Sequence, residues 1–170
     1  MYDELRLSYK PDRVTVLYVA ESPPIGGTFF YNANSNLYEA LQSAFFSVFG
    51  DKCGVGVDFL DFFKSKCCYL EDICSESVNG MPLHSPGRES ARQLGVAPLS
   101  LKVAEMRPAV IVVLMKAIET SVNTAVRDSG FKPRYQFATP FPSHGEKNRL
   151  NCVKQNTTIL RLLLKEHLLT

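Results

Sequence analysis

The chain has 170 residues, 45% of them hydrophobic and 21% charged, with no tryptophan and a formal net charge of +2. That length suits one domain over 1–170 that buries roughly two-thirds of its unfolded surface, and the composition excludes a disordered chain. No apolar run approaches the ~20 residues of a membrane-spanning helix, and the first residues lack the basic and apolar regions of a signal peptide, so a cytoplasmic protein is expected.

In chain order, residues 14–19 form an apolar run broken only by Thr15, the pattern of a strand covered on both faces. The run stops at Glu21, Ser22, Pro23 and Pro24, where proline cannot donate to a ladder and the residue before it is pushed out of the helical region. Gly26 and Gly27 then let the backbone approach another group closely, and Phe29, Phe30 and Tyr31 follow. A carboxylate closing an apolar strand is costly unless it has partners or faces a cavity, which singles out Glu21. Ligands of open α/β sheets bind at the carboxyl ends of strands, where this segment lies.

The spacing of apolar residues predicts a helix over 36–49, with Asn34, Ser35 and Asn36 as alternative N-caps and Gly50 to close it. A short helix over 57–64 and a second strand over 67–74 come next, then a loop over 75–86 containing Asn79, Gly80, Pro82 and Pro86. Two helices are predicted over 89–94 and 99–106, ending before Arg107 and Pro108. Residues 109–114 read as a central β-branched strand, 115–128 as the helix after it, and 135–138 as a short fourth strand. A rigid loop over 139–145 leads into a long amphipathic helix over 148–168. The alternation predicts a three-layer α/β/α domain around a central, mostly parallel four-stranded sheet.

Five cysteines, an odd count, point to reduced thiols. None forms a CxxC pair, so no metal site is expected. The charge is unevenly spread: residues 131–170 carry 7 basic and 2 acidic side chains, against 12 and 15 in the rest. Such a basic end is either a phosphate-binding face or a solvated helix surface. His84 and His167 read as surface residues, whereas His144 lies in the Pro-rich loop after the fourth strand. The GxGxxG, GxxxxGK[ST] and GxSxG spacings are absent, which argues against a nucleotide phosphate loop and against Ser22 as a hydrolase nucleophile.

Five segments together resemble the uracil-DNA glycosylase superfamily, especially its iron–sulfur and mismatch-specific branches. Residues 16–24 resemble that family's strand followed by Gly-Glu-Ala-Pro-Gly. Residues 27–30 with 37–41 are similar to its base-stacking aromatic and following helix. Residues 69–73 fall where it has a strand ending in Thr-Asn, 106–114 resemble its Arg-Pro-x-Val-Ile-Val-x-Leu-Gly strand, and 139–145 sit at its His-Pro-Ser-Pro loop. The departures are specific: Ala20 and Met115 replace glycines, Ser22 stands where other branches place Asp or Asn, and Phe141 takes the motif histidine, with His144 three residues later. Asp72 replaces the base-reading asparagine. The cluster cysteines are missing, with Glu76 and Val96 at the two later positions, so no iron–sulfur cluster or other cofactor is expected.

The resemblance implies a DNA glycosylase that hydrolyses the N-glycosidic bond of uracil or another deaminated base flipped out of single- or double-stranded DNA. Glu21 would stabilise the oxocarbenium-like sugar or orient water, and His144 would assist the departing base. Ser22, Phe30, Asp72 and Ser143 would contact the base, while Lys147, Asn148 and Arg149 would meet phosphate at the start of the last helix. An ionised aspartate only accepts hydrogen bonds, so either Asp72 is protonated in a buried site or uracil is not the substrate. A catalytically inactive nucleic-acid-binding module of the same fold, or a nucleoside or nucleotide glycosidase, are the alternatives.

Overall fold

A computed structural model describes residues 2–143 and 145–169 of the chain. The regular elements are α1 (Tyr2–Ser8), β1 (Val16–Ala20), α2 (Asn36–Phe49), α3 (Val57–Ser65), β2 (Cys68–Asp72), α4 (Pro86–Met106), β3 (Val110–Val113), α5 (Glu119–Asp128), β4 (Tyr135–Ala138) and α6 (Glu146–Lys165). Short 3₁₀ turns lie at Phe30–Asn32, Gly50–Cys53 and Lys116–Ile118.

The four strands make one sheet in the order β2-β1-β3-β4, and every pairing is parallel. Val19 lies between Glu71 and Val113 in register, and Ala20 is level with Asp72. β1 and β3 are buried at every residue, as expected of interior strands covered on both faces, whereas the edge strand β4 is only partly covered. β1 passes to β2 on one side, and the chain then crosses back over β1 to β3. The direction of winding therefore reverses at β1 and β3, which leaves a crevice beyond their carboxyl ends.

Helices cover both faces, giving an α/β/α domain. α2 packs on α6 with α3 beside them, and α4 packs on α5 on the opposite face. Successive residues of a strand alternate between the faces. Tyr18 meets Phe63 of α3 at 5.5 Å, within an aromatic cluster that includes Phe45 and Phe59. Glu21, on the other parity, turns toward α4.

Two elements differ from the sequence expectation. α4 is one helix of 21 residues, although Gly95 and Pro98 divided the predicted pair. Gly95 packs so closely on Ile73 that a Cβ there would come within 1.8 Å of the Ile73 carbonyl oxygen, so glycine is a packing requirement here. Pro98 lies on the outer face, near Leu94, which is 78% exposed, so solvent can satisfy the helical carbonyl that proline leaves unbonded. α1 had no apolar periodicity to announce it. It is held by Tyr2 against Phe29 at 4.6 Å, Tyr9 against Tyr31 at 5.5 Å, and the buried side chain of Arg6.

Candidate functional site

A cavity of about 790 Å³ opens at the carboxyl ends of the strands. Its wall is assembled from the end of β1 and the residues after it (Ala20, Glu21, Ser22), the Phe30 turn, the end of β2 (Asp72), the segment after β3 (Met115, Lys116, Ala117) and the loop after β4 (Pro140, Phe141, Ser143). Asn148 from the first turn of α6 and Asn79, Met81 and Leu83 from the loop before α4 complete it. The parallel sheet brings these together because all its strands point one way, so the loops that follow them converge.

Six of the residues singled out from sequence, Glu21, Ser22, Phe30, Asp72, Ser143 and Asn148, therefore line one cavity. Lys147 and Arg149 stand outside that lining on the first turn of α6, and Arg149 is tied to Glu146 of the same helix at 3.2 Å. His144 lies outside the described residues. Phe30 is packed edge-on against Tyr31 and Phe63, at 5.0 and 5.3 Å, so it serves the core as well as the cavity wall. Ser22 accepts a hydrogen bond from the Val78 amide at 3.3 Å, which ties the Pro23–Pro24 turn to the loop before α4.

Glu21 resolves the cost of ending an apolar strand on a carboxylate by meeting two arginines of α4. Its Oε1 accepts from Arg88 Nε at 2.8 Å and from Arg92 Nε and Nη2 at 2.8 and 2.6 Å, and its Oε2 accepts from Arg88 Nη2. Burial alone would raise its pKa, but these hydrogen bonds and charges outweigh it and hold the carboxyl below its ordinary 4.5. The same arginines donate to the Met81 and Leu83 carbonyls at 2.8 and 3.1 Å, so the Glu21 cluster also shapes the loop that walls the cavity.

Asp72 is the opposite case. Its Oδ2 accepts from Arg6 of α1 at 2.5 Å, and Arg6 also donates to Glu71, whose Oε2 meets Lys102 at 3.0 Å. Burial pushes the Asp72 carboxyl up to about 7, with Arg6 pulling it down and Glu71 pushing it further up. Two carboxyls at the ends of adjacent strands thus differ in charge: Glu21 is ionised through the neutral range, while Asp72 changes state within it.

Burial keeps the Cys53, Cys68, Cys74 and Cys152 thiols protonated. Burial raises Cys74 to about 11, helped by the charge of Glu21, and raises Cys152 to about 12. Among the described residues no group of three or more His, Cys, Asp or Glu side chains is placed to hold a metal ion, and no helix is long and apolar enough to cross a membrane.

Arg6, Arg88, Arg92 and Lys116 were absent from the sequence expectation. One signal was available for Arg88 and Arg92: they stand four apart, on one face of a helix, and a buried Glu21 needed cationic partners. Nothing local ties Arg6 to residues 65 and 66 positions away.

Fold and cavity together define a doubly wound, all-parallel α/β protein with a ligand-sized, largely apolar crevice at its topological switch point. No protein-family model matches the chain, and no curated protein or solved structure matches it either.

Proposed function

We propose that this protein is a DNA glycosylase-like hydrolase that takes a base flipped out of DNA into the cavity and cleaves its N-glycosidic bond. The observation that carries the proposal is convergence. Glu21, Ser22, Phe30, Asp72 and Ser143, drawn from four separated segments that each resemble part of one superfamily, border one cavity together with Asn148 of α6. Its volume lies within the range usual for small-ligand pockets, and its position is the one a parallel sheet reserves for ligands.

The chemistry asks for little covalent work. As the bond lengthens, the sugar becomes oxocarbenium-like and the base leaves as an anion, so a fixed negative charge near the sugar and a donor near the base stabilise the transition state. Glu21 is ionised and immobilised, and its Oε2, with a single arginine donor, has a lone pair for an attacking water. Its clamped geometry suits orienting water rather than abstracting a proton, and the proton that water loses as its oxygen bonds to the sugar carbon ends on the base anion released when the C–N bond breaks. Lys116 adds a positive charge to the lining, suited to the departing base or a flanking phosphate. His144 is assigned by the resemblance to the departing base. Asp72 meets the base edge, protonated or ionised according to pH.

A base-release assay tests this. Oligonucleotides carrying one uracil, hypoxanthine, xanthine or mismatched thymine, single- and double-stranded, are incubated with the protein, treated with alkali and resolved on a gel. Release that falls about 100-fold or more in Glu21→Gln is the expected result. No release from any of these substrates by folded protein sinks the proposal.

One observation favours a second reading. Two arginines neutralise Glu21, which weakens its field at a sugar cation, so a non-catalytic module that binds an unstacked base is the alternative. Tight binding of the same oligonucleotides without turnover identifies it.

A further inference from the structure

The N-terminal helix supplies charge to the cavity wall from behind. Arg6 is 6% exposed and lies outside the cavity lining, yet it holds Asp72, which is part of that lining. α1 is kept in place by its tyrosine contacts, by the Arg6 guanidinium 5.6 Å over the Phe29 ring and by Lys64 Nζ donating to the Ser8 carbonyl at 2.8 Å. Arg6 can therefore influence the cavity through Asp72.

The charged groups around Asp72 are few and identifiable. α1 brings Arg6 and Asp3, which is 3.6 Å from Arg6; β2 brings Glu71 and the Tyr69 phenol, which burial keeps protonated; and α4 brings Lys102, which reaches Glu71. Beyond the strand end lie the Cys74 thiol and the Glu21 cluster with Arg88 and Arg92. Glu71 and Asp72 compete for one guanidinium, so removing Glu71 strengthens the hold of Arg6 on Asp72, and removing Arg6 leaves two buried carboxyls adjacent.

We propose that Arg6 is a positioning residue for this cavity: by engaging Asp72 Oδ2 it sets the orientation and charge of the carboxyl, and hence which edge of a nucleobase the cavity accepts. The selectivity part rests on the glycosylase-like reading; the control of the carboxyl does not. An ionised Asp72 accepts from an amino or ring N–H group, whereas a protonated one also donates to a carbonyl. The balance of burial, Arg6 and Glu71 brings the change between these states to about 7.

Carbon-13 carboxyl titration of the full-length protein, with Asp72 assigned by its loss in Asp72→Asn, tests the control of the carboxyl without any ligand. The expected midpoint is near 7 in the wild type, lower in Glu71→Gln and higher in Arg6→Gln, each by at least about half a unit. Should Arg6→Gln fail to fold, Arg6→Lys decides in its place, since it keeps a cation in the site but loses the fork that reaches Glu71 and Asp72 together, and it too is expected to raise the midpoint. Midpoints unmoved by these substitutions, or a wild-type midpoint near the ordinary aspartate value, overturn the proposal. Binding of 1-methylcytosine and 1,3-dimethyluracil at about pH 6 and about pH 8 tests the selectivity part, because the first offers an amino group to the ionised carboxyl, whereas the second has no N–H and offers only carbonyls to a protonated one. A preference moving about threefold or more toward 1-methylcytosine at the higher pH, and lost in Asp72→Asn, is expected. A ratio independent of pH overturns the selectivity. A shifted midpoint with neither probe bound overturns selectivity together with the glycosylase-like reading, and leaves the hold of Arg6 on Asp72 established.

Discussion

Glu21 and Asp72 end adjacent strands, and their neighbours drive them to opposite titration behaviour. Glu21 is held below its ordinary value, so its contribution to stability is present above about 4.5 and lost as pH falls through its lowered pKa. Asp72 is held above its ordinary 3.8, so its contribution is full below that value and lost as pH rises through about 7. Stability measured by urea unfolding should therefore peak in mildly acidic solution and decline toward neutral pH, with Asp72→Asn flattening the neutral limb. A wild-type profile flat from about pH 5 to 8 would contradict the buried state of Asp72. At this scale the sequence already marked Glu21, because a carboxylate closing an apolar run demands an explanation. The identity of its partners was not legible, since Arg88 and Arg92 lie 67 and 71 positions away and only the fold brings them near.

At the scale of elements, hydrophobic periodicity located β1, α2, α3, β3, β4 and α6 to within a few residues, because each buries one continuous face or both. It failed at α4 and α1 for different reasons. Gly95 and Pro98 are poor helix residues locally, yet one is required for contact with Ile73 and the other stands where solvent replaces the lost hydrogen bond. Gly95→Ala is expected to destabilise the protein by about 3 kcal/mol or more through overlap with the Ile73 carbonyl, a backbone atom that cannot swing away. Pro98→Ala should instead raise stability, by up to ~3 kcal/mol, since a helix-forming residue restores an amide donor on the outer face. Thermal unfolding of the two variants, one lowered and one raised against wild type, checks both; equal effects would mean that α4 is not continuous through 95–98. α1 is too short to be stable by itself and exists through its docking, which no local pattern announces.

At the scale of the molecule, the order β2-β1-β3-β4 is what turns scattered loops into a site. Charge at this scale sets how strongly the proposed DNA partner would be held. With a net charge of +2, Lys116 in the lining and Lys147 on α6, and Arg149 tied to Glu146, only a few phosphates can be met. The logarithm of DNA affinity should fall with the logarithm of salt with a slope of only about −2 to −3, and Lys147→Ala should reduce its magnitude by about 1. Fluorescence anisotropy across a salt series checks this, and affinity indifferent to salt would exclude a phosphate-contacting role.

The sequence by itself determined the α/β class, the strand that leads to Glu21 and the proline–glycine turn after it, because burial on both faces and proline–glycine punctuation are local and leave a local record. Tertiary structure alone decided the strand order, the continuity of α4, the docking of α1 and the partners that give Glu21 and Asp72 their different charges. Those outcomes depend on desolvation and on contacts between residues tens of positions apart, quantities that exist only once the chain has closed on itself.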